Sequence, residues 1–269
     1  MKKKSRHERP LVAKNIAGKN ISNPNEITVN QHVIPEKHLL RWSKDKKAVK
    51  FIELPNLIEK ILPAGNPYFC VMRLWDQATE AGMLKVNEAN FWQQIDMLEA
   101  GQNFSKPGYI TEYYAMLCAR IWVSNRERPH SASIFSEISH DSTKSELEQN
   151  ELSMLDSSSV HYVLSTIQND SQHIARQVVK LAMSRQFSHW REVLKSEKWL
   201  CISKKQDNYV LSDAFLNNLQ DGIHILPISP NRVLVTEGTL NSLGINGDVD
   251  DETINSYMKK NAVNYYFNY

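Results

Sequence analysis

The sequence predicts an α+β fold, in which one mostly helical domain carries a small antiparallel β-sheet formed largely by the C-terminal third of the chain. Across residues 69–122 and 160–194, apolar residues recur every three or four positions, which is the spacing of one helix face. Between residues 199 and 236, short apolar runs alternate with turn residues, as in antiparallel strands. Only nine glycines occur in 269 residues, which argues against a glycine-rich barrel and against a nucleotide fold with a phosphate-cradling loop.

The first regular elements are predicted from a proline and from alternating hydrophobicity. Pro35 disfavours helix at the residue before it and suits the first turn of a helix that runs through Trp42. Residues 47–54 then alternate like a half-buried strand, with Val49 and Phe51 on its buried face.

The middle of the chain is predicted to be helical, with breaks at Gly82 and at the Pro107-Gly108 turn. A long helix is expected over residues 160–194, broken near Ser171 or Ser188. The apolar stripes of these helices are Val71, Leu74, Trp75 and Ala78; Phe91, Ile95 and Leu98; Tyr114, Leu117, Ile121 and Trp122; and Leu164, Ile167, Ile174, Val178 and Leu181.

The last third is predicted to hold four short strands and a final helix. The strands are residues 199–203, 209–212, 222–228 and 232–236. The helix follows Asp250, Asp251 and Glu252 and runs through Tyr257 and Val263. Acidic residues at its start suit the helix dipole, so they need no bound metal to explain them.

Charge and composition divide the chain into a leader and one domain. Residues 1–28 are expected to be a basic, disordered leader, and residues 29–269 a single domain with a polar serine-rich insertion at about 131–159, where ten serines occur. Residues 1–50 hold thirteen Lys and Arg against four Asp and Glu, a net charge of +9, while the rest carries −7. Two interpretations of the basic leader stay open: an arm that contacts phosphates, or a solvated tail.

Composition and motifs exclude several classes of protein. No apolar run approaches the roughly 20 residues that span a bilayer, so we expect no membrane partner, and no apolar stretch follows the basic start as in a secretory signal. Cys70, Cys118 and Cys201 are widely spaced, so we expect free thiols in a reducing cytoplasm. The sequence has no Walker loop, dinucleotide fingerprint or zinc-ligand spacing, so it indicates no particular cofactor and no metal site, and it leaves the oligomeric state open.

The densest group of chemically able side chains lies in residues 30–43. His32 is the first catalytic candidate, because an imidazole exchanges a proton near neutral pH and a loop before a helix exposes it to substrate. Asp213 is the second, because a carboxylate at a strand end is placed to orient a histidine or to hold a metal. Each also has a structural interpretation, as a hydrogen-bonded histidine before a turn and as an aspartate that caps a turn.

Four further residues are expected to bind substrate. Arginine grips a phosphate or carboxylate through two parallel hydrogen bonds, which makes Arg41, on the first helix, and Arg232, in the last third, the candidates for a phosphate. Asn30 lies on the loop before that helix, and Ser212 precedes Asp213 without the glycine-flanked pattern of a nucleophile elbow. For the arginines, structural ion pairing with an acid such as Asp213 stays open as the alternative.

Several short segments follow one another in the order of a known family pattern. They are Gln31-His32-x-x-Pro35-x-x-x-Leu39-x-Arg41-Trp42, Trp75-Asp76-Gln77-Ala78-Thr79-Glu80, Ile110-Thr111-Glu112-Tyr113-Tyr114-Ala115, Leu211-Ser212-Asp213, Leu226-Pro227-Ile228-Ser229-Pro230-Asn231-Arg232-Val233-Leu234-Val235, Asn255 and Asn261-Ala262. Together they resemble the bacterial domain-of-unknown-function family DUF4238, from about Asn30 to the C-terminus without the serine-rich segment. The family usually has an aromatic residue where His38 stands, and a proline where this chain has Ala214-Phe215. The resemblance implies where a site lies and implies no catalytic roles.

Two functional hypotheses from different classes follow. The first is an intracellular, nuclease-like effector enzyme that acts on nucleic acid or on another phosphate ligand. In it His32 serves as acid or base, an arginine stabilises the phosphate, and Asp213 orients His32 or binds a divalent ion. The second is a non-catalytic binding or scaffold protein, in which His32, Arg41 and Asp213 form a buried polar network between the first helix and the C-terminal sheet.

Overall fold

The computed structural model describes residues 12–125, 171–206, 209–214, 222–243 and 251–269. The predicted serine-rich insertion lies outside these ranges, as do the strongly basic first eleven residues and the stripe residues Leu164 and Ile167.

Helices and strands both occur throughout the described residues, which confirms the α+β class. The helices are α1 Glu36–Leu39, α2 Gln77–Thr79, α3 Lys85–Glu99, α4 Gly108–Ser124, α5 Ser171–Val193, α6 Glu237–Ser242 and α7 Asp251–Asn261, with 3-10 turns at Leu40–Trp42 and Pro67–Phe69 and a π-helical turn at Glu80–Leu84. The strands are β1 Val12–Lys14, β2 Asn20–Ser22, β3 Asn30–His32, β4 Ala48–Glu53, β5 Ile58–Pro63, β6 Cys70–Met72, β7 Trp199–Ser203, β8 Leu211–Ser212, β9 Ile225–Ser229, β10 Arg232–Thr236 and β11 Tyr265–Phe267. Less than half of the described residues are helical, so a mostly helical domain is not confirmed.

The described strands form four small antiparallel sheets that are spread along the chain and not gathered in its last third. The predicted sheet of the last third exists as β7-β10-β9. The sequence places β8 beside these strands, but the structure pairs it with β11 in a sheet ordered β5-β4-β11-β8. The two remaining sheets are the pairs β1-β2 and β3-β6. Because β11 lies between β4 and β8, the end of the chain closes against its beginning.

The predicted entry into the domain is confirmed. The helix α1 follows Pro35 and continues as a 3-10 turn to Trp42, whose Nε1 donates to the backbone oxygen of Tyr209 at 3.2 Å. Val49 and Phe51 are both fully buried on one face of β4. The tryptophans are core residues: Trp42, Trp75, Trp92 and Trp199 are buried, and Trp122 and Trp190 are partly buried against the core.

The predicted helix over residues 69–78 is wrong in its first part. Cys70–Met72 is a strand that pairs with β3, and the side chain of Gln31 then accepts the backbone N–H groups of Leu74 at 2.6 Å and Trp75 at 3.1 Å. Because the backbone N–H groups of Leu74 and Trp75 bind the Gln31 side chain, they form no helical hydrogen bonds. The helix α2 therefore begins only after Asp76, which caps it. Buried apolar residues on both sides of a short strand imitated helical spacing.

The long helix is present as α5 and is unbroken to Val193, but its buried face differs from the predicted stripe. Val178 and Leu181 are 39% and 43% exposed. The buried apolar residues of the helix lie one or two positions further along: Ala175, Val179 and Met183. An ion pair explains this rotation of the helix. Lys180 of α5 pairs at 3.1 Å with the buried carboxylate of Asp76, so the side of the helix that carries Lys180 faces the interior.

Three strands near the two ends of the chain were not indicated by the sequence. Part of the predicted leader forms the exposed hairpin β1-β2, and β11 follows the final helix, which ends at Asn261. Within the described ranges, every helix is too short or too polar to cross a membrane.

Candidate functional site

The side chain of Gln31 in β3 connects this strand to the segment that follows β6. Its Oε1 accepts from two backbone N–H groups of the segment after β6, and its Nε2 donates to the Trp75 oxygen at 2.9 Å. Gln31 is buried, so all of these bonds form away from water. The first and second segments that resemble DUF4238 are therefore joined through one side chain.

His32 lies on β3, half-buried, and does not sit on an open loop. Its Nε2 is 3.1 Å from the backbone oxygen of Ala64. A carbonyl oxygen only accepts, so Nε2 carries a proton and is the donor of this bond. Asn30 begins the same strand and is exposed.

Asp213 holds the C-terminal strand in place. Its Oδ1 accepts from the Val263 N–H at 2.9 Å, and its Oδ2 accepts from the backbone and side-chain nitrogens of Asn264 at 3.0 and 2.7 Å. Burial raises the pKa of Asp213, and these donors oppose that rise. Ser212 is fully buried, and its hydroxyl oxygen accepts from the Ala214 N–H. Ser212 thus forms a local turn, whereas Asp213, among the described residues, connects the end of β8 to the segment before β11 and does not cap a turn of its own backbone.

The two catalytic candidates are not in contact. Among the described residues no hydrogen bond joins His32 to Asp213, and each has its own partners. The arginines do form ion pairs with an acid, the alternative that the sequence left open, but the acid is Glu99 and not Asp213.

Arg41 and Arg232 meet on one carboxylate oxygen. The Nη2 of Arg41 donates to Oε1 of Glu99, and the Nη1 of Arg232 lies 3.5 Å from the same atom. Arg41 comes from the turn after α1, Arg232 from the start of β10, and Glu99 from the last residue of α3. The side chains are 22%, 28% and 36% exposed, so the group lies at the surface.

A third cation completes this surface. Lys37 is one helical turn before Arg41, and both cations lie over the ring of Trp92, at 4.9 and 5.5 Å from its centre. Lys37 and Arg41 therefore share one aromatic ring, while Arg41 and Arg232 share one carboxylate. We call Lys37, Arg41, Arg232 and Glu99 the basic face; arginine forks of this kind match the geometry of phosphate and carboxylate.

Sequence reasoning missed the buried polar centre beneath the basic face. His38 is fully buried, with Nε2 2.7 Å from the Pro227 oxygen and Nδ1 2.9 Å from the Tyr113 hydroxyl. Burial lowers the pKa of His38 to about 3, so the ring is neutral. Nε2 must then donate to Pro227, and Nδ1 accepts the proton of Tyr113. The only sign of this role in the sequence was that His38 stands where the DUF4238 pattern usually has an aromatic residue.

A second polar cluster, also missed, surrounds Arg120 on α4. Arg120 is 2% exposed, and its Nη2 lies 2.8 Å from Glu88 and 4.0 Å from Glu80. Its guanidinium also lies over the Trp75 ring, whose Nε1 donates to Glu80. Burial raises the pKa of Glu88, Arg120 opposes the rise and Glu80 adds to it. The cluster joins α4 to α3 and to the π-helical turn.

The described residues form no candidate metal site, and comparisons with known proteins identify no relative. In the part of the chain that the structure describes, no three His, Cys, Asp or Glu side chains are grouped to hold a metal ion. Comparisons with protein-family models, with curated proteins and with solved structures gave no match. The resemblance to DUF4238 therefore stays a prediction.

Proposed function

We propose that this protein binds a phosphate-bearing ligand, with nucleic acid as the ligand class, through the basic face. The observation that carries the proposal is that Arg41 and Arg232, from opposite ends of the chain, reach the same oxygen of Glu99. The fold thereby collects two phosphate-matching side chains at one surface point.

The carboxylate between the two arginines is replaceable. Ion pairs between exposed side chains contribute only about 0–1 kcal/mol, so Glu99 holds its partners weakly. A phosphate offers more acceptor oxygens and forms stronger, charge-assisted bonds with the same guanidinium groups.

Binding is better supported than the nuclease hypothesis. Both carboxylate oxygens of Asp213 already accept hydrogen bonds, and the proton-bearing nitrogen of His32 faces a backbone carbonyl. The nuclease hypothesis needs these groups free and near the arginines. The scaffold alternative draws support from the same bonds, because Gln31, His38 and Asp213 join distant segments in the interior.

The test is the affinity of the protein for labelled single-stranded RNA and duplex DNA at several salt concentrations. We expect Arg41→Ala and Arg232→Ala each to weaken binding about tenfold and to lower the salt slope by about one, because each removes one cation that contacts phosphate. The matched control is Lys198→Ala. Lys198 also sits in an exposed ion pair, with Glu237, at the end of the β7-β10 sheet opposite Arg232.

The scaffold alternative gives a different result. If both arginine variants lower the melting temperature and bind nucleic acid as the wild type does, the basic face is a structural ion pair. Equal weakening in Lys198→Ala would show that only net charge matters, and it would also contradict the proposal.

A further inference from the structure

Resting on the function proposed above, we infer that the basic face is built for one phosphate monoester group, and that Glu99 occupies the place of that phosphate in the free protein. The inference names the ligand group within the proposed class. It also assigns to Glu99 the role of an internal competitor.

The arginines converge on a point and do not form a row. Arg41 donates to Glu99 Oε1, and Arg232 lies 3.5 Å from that same atom. Proteins that hold a strand by its backbone spread their cations along a groove. Two guanidinium groups that share one atom fit a single tetrahedral anion.

The charge at this point favours a dianion. Two arginines face one carboxylate, and Lys37 adds a further positive charge beside Arg41. A phosphate monoester carries about −1.5 to −2 charges at pH 7 and has three strong acceptor oxygens, enough to reach both guanidinium groups. A backbone diester carries a single charge, so it gains less than a monoester does when it replaces Glu99.

Within the described part of the chain, only one of the two donors on the side-on edge of the Arg41 guanidinium forms a hydrogen bond. Its Nε shares the side-on edge of the guanidinium with Nη2, yet among the described residues Nε is buried without a hydrogen-bond partner. Glu99 thus fills one donor of a fork that accommodates two acceptor oxygens. A phosphate with three terminal oxygens fills both donors and still reaches Arg232.

The position of Glu99 is unfavourable for its own helix. Glu99 is the last residue of α3, where the negative end of the helix dipole opposes a carboxylate. Replacing it with glutamine therefore leaves the helix intact, which makes Glu99→Gln a clean variant. The matched control is Glu237→Gln, which removes the same charge from an exposed ion pair at the far end of β10.

The experiment compares one short single-stranded RNA prepared with a 5′-phosphate, a 3′-phosphate or hydroxyl ends, titrated by fluorescence anisotropy with the full chain. We expect a phosphorylated end to bind about tenfold tighter than the hydroxyl form, the equivalent of one charge-assisted hydrogen bond. Glu99→Gln should tighten that complex about two- to fivefold, because it removes the internal competitor. Glu237→Gln should leave the affinity unchanged, and Arg232→Ala should abolish the preference for a phosphorylated end.

The failures of the two proposals are distinguishable. Equal affinity for phosphorylated and hydroxyl RNA, with weaker binding of both by Arg232→Ala, overturns the monoester inference and leaves the proposed function standing. Unchanged binding in Arg232→Ala overturns both. A nucleoside 5′-monophosphate added as competitor separates the sources of the group: full displacement at the affinity of the RNA supports the monoester site with a small-molecule ligand, and failure to displace supports the terminus of a nucleic acid.

Discussion

His38 lies at the point where the two ends of the chain meet. One ring nitrogen bonds the oxygen of Pro227 in β9, and the other bonds Tyr113 in α4. The ring also packs against Trp42 and Trp92. A neutral imidazole whose two nitrogens are both hydrogen-bonded in the interior does not change its charge at neutral pH, so His38 connects these segments and does not act as an acid or base.

The depressed pKa of His38 predicts a loss of stability in acid. The unfolded chain protonates this histidine near pH 6.5, whereas the folded protein keeps it neutral down to about 3. Unfolding therefore takes up a proton between these values, so the stability present above 6.5 is lost as the pH falls, by up to about 1.4 kcal/mol per pH unit. Urea unfolding at a series of pH values measures this slope.

The variant that tests this assignment is His38→Gln, since glutamine keeps one donor and one acceptor. Its free energy of unfolding should depend less on pH than that of the wild type by close to one proton. The matched control is His189→Gln, which makes the same substitution at an exposed histidine. A His38→Gln protein with the wild-type pH dependence would show that other groups cause the acid sensitivity.

Some of the candidate site residues could be predicted from the sequence, and others could not. Arg41 and Arg232 were found because arginine is the residue type that phosphate needs. Glu99 was not, because an exposed glutamate at a helix end has no distinguishing pattern. His32 and Asp213 were identified by residue type as well, but contacts with Ala64 and Asn264 decide what they do, and contacts between distant residues are not encoded locally.

Among the elements, Arg120 shows how a buried charge fixes the packing of helices. Its guanidinium joins α4 to Glu88 of α3 and lies near Glu80 of the π-helical turn. Its Nε and Nη1 have no hydrogen-bond partner among the described residues. The pairing with carboxylates is thus what compensates for the buried cation.

Removing Arg120 should therefore cost more than removing one of its partners. We expect Arg120→Met to lower the free energy of unfolding by about 2–4 kcal/mol, because it leaves two neighbouring, partly buried carboxylates without their cation. Glu88→Gln should cost less than about 1 kcal/mol, since the carboxylate is partly exposed and glutamine can still accept from Arg120. Chemical denaturation of both variants gives the comparison, and a larger loss for Glu88→Gln would contradict this account of the cluster.

The long helices were predictable from the sequence, whereas the short strands were not. The helices α3, α4 and α5 each span four or more turns, so their apolar spacing is clear in the sequence. Strands of two or three residues, such as β6, β8 and β11, contain too few residues to show a period. Their partners are distant in sequence, as Phe267 is from Phe51, so only the folded chain reveals their pairing.

At the scale of the whole molecule, the segment around the first helix is in contact with the last third of the chain. The sequence led us to expect that the first helix and the last third meet around His32 and Asp213. They do meet, through His38 with Pro227 and through Arg41 and Arg232 at Glu99, so these contacts lie six to nine residues beyond His32. The charge imbalance between the first 50 residues and the rest suits this placement, because the first helix contributes two of the three cations.

The central claim is that Arg41 and Arg232 act on one phosphate group, and a double-mutant cycle in ligand binding tests it most directly. The affinity for the 5′-phosphorylated RNA is measured for the wild type, for Arg41→Ala, for Arg232→Ala and for the double variant. If one phosphate bridges both guanidinium groups, either single change removes most of the benefit, and the two losses should differ from additivity by about 1 kcal/mol or more. Losses that add within about 0.5 kcal/mol would show that the arginines bind separate groups or none, and would contradict the account.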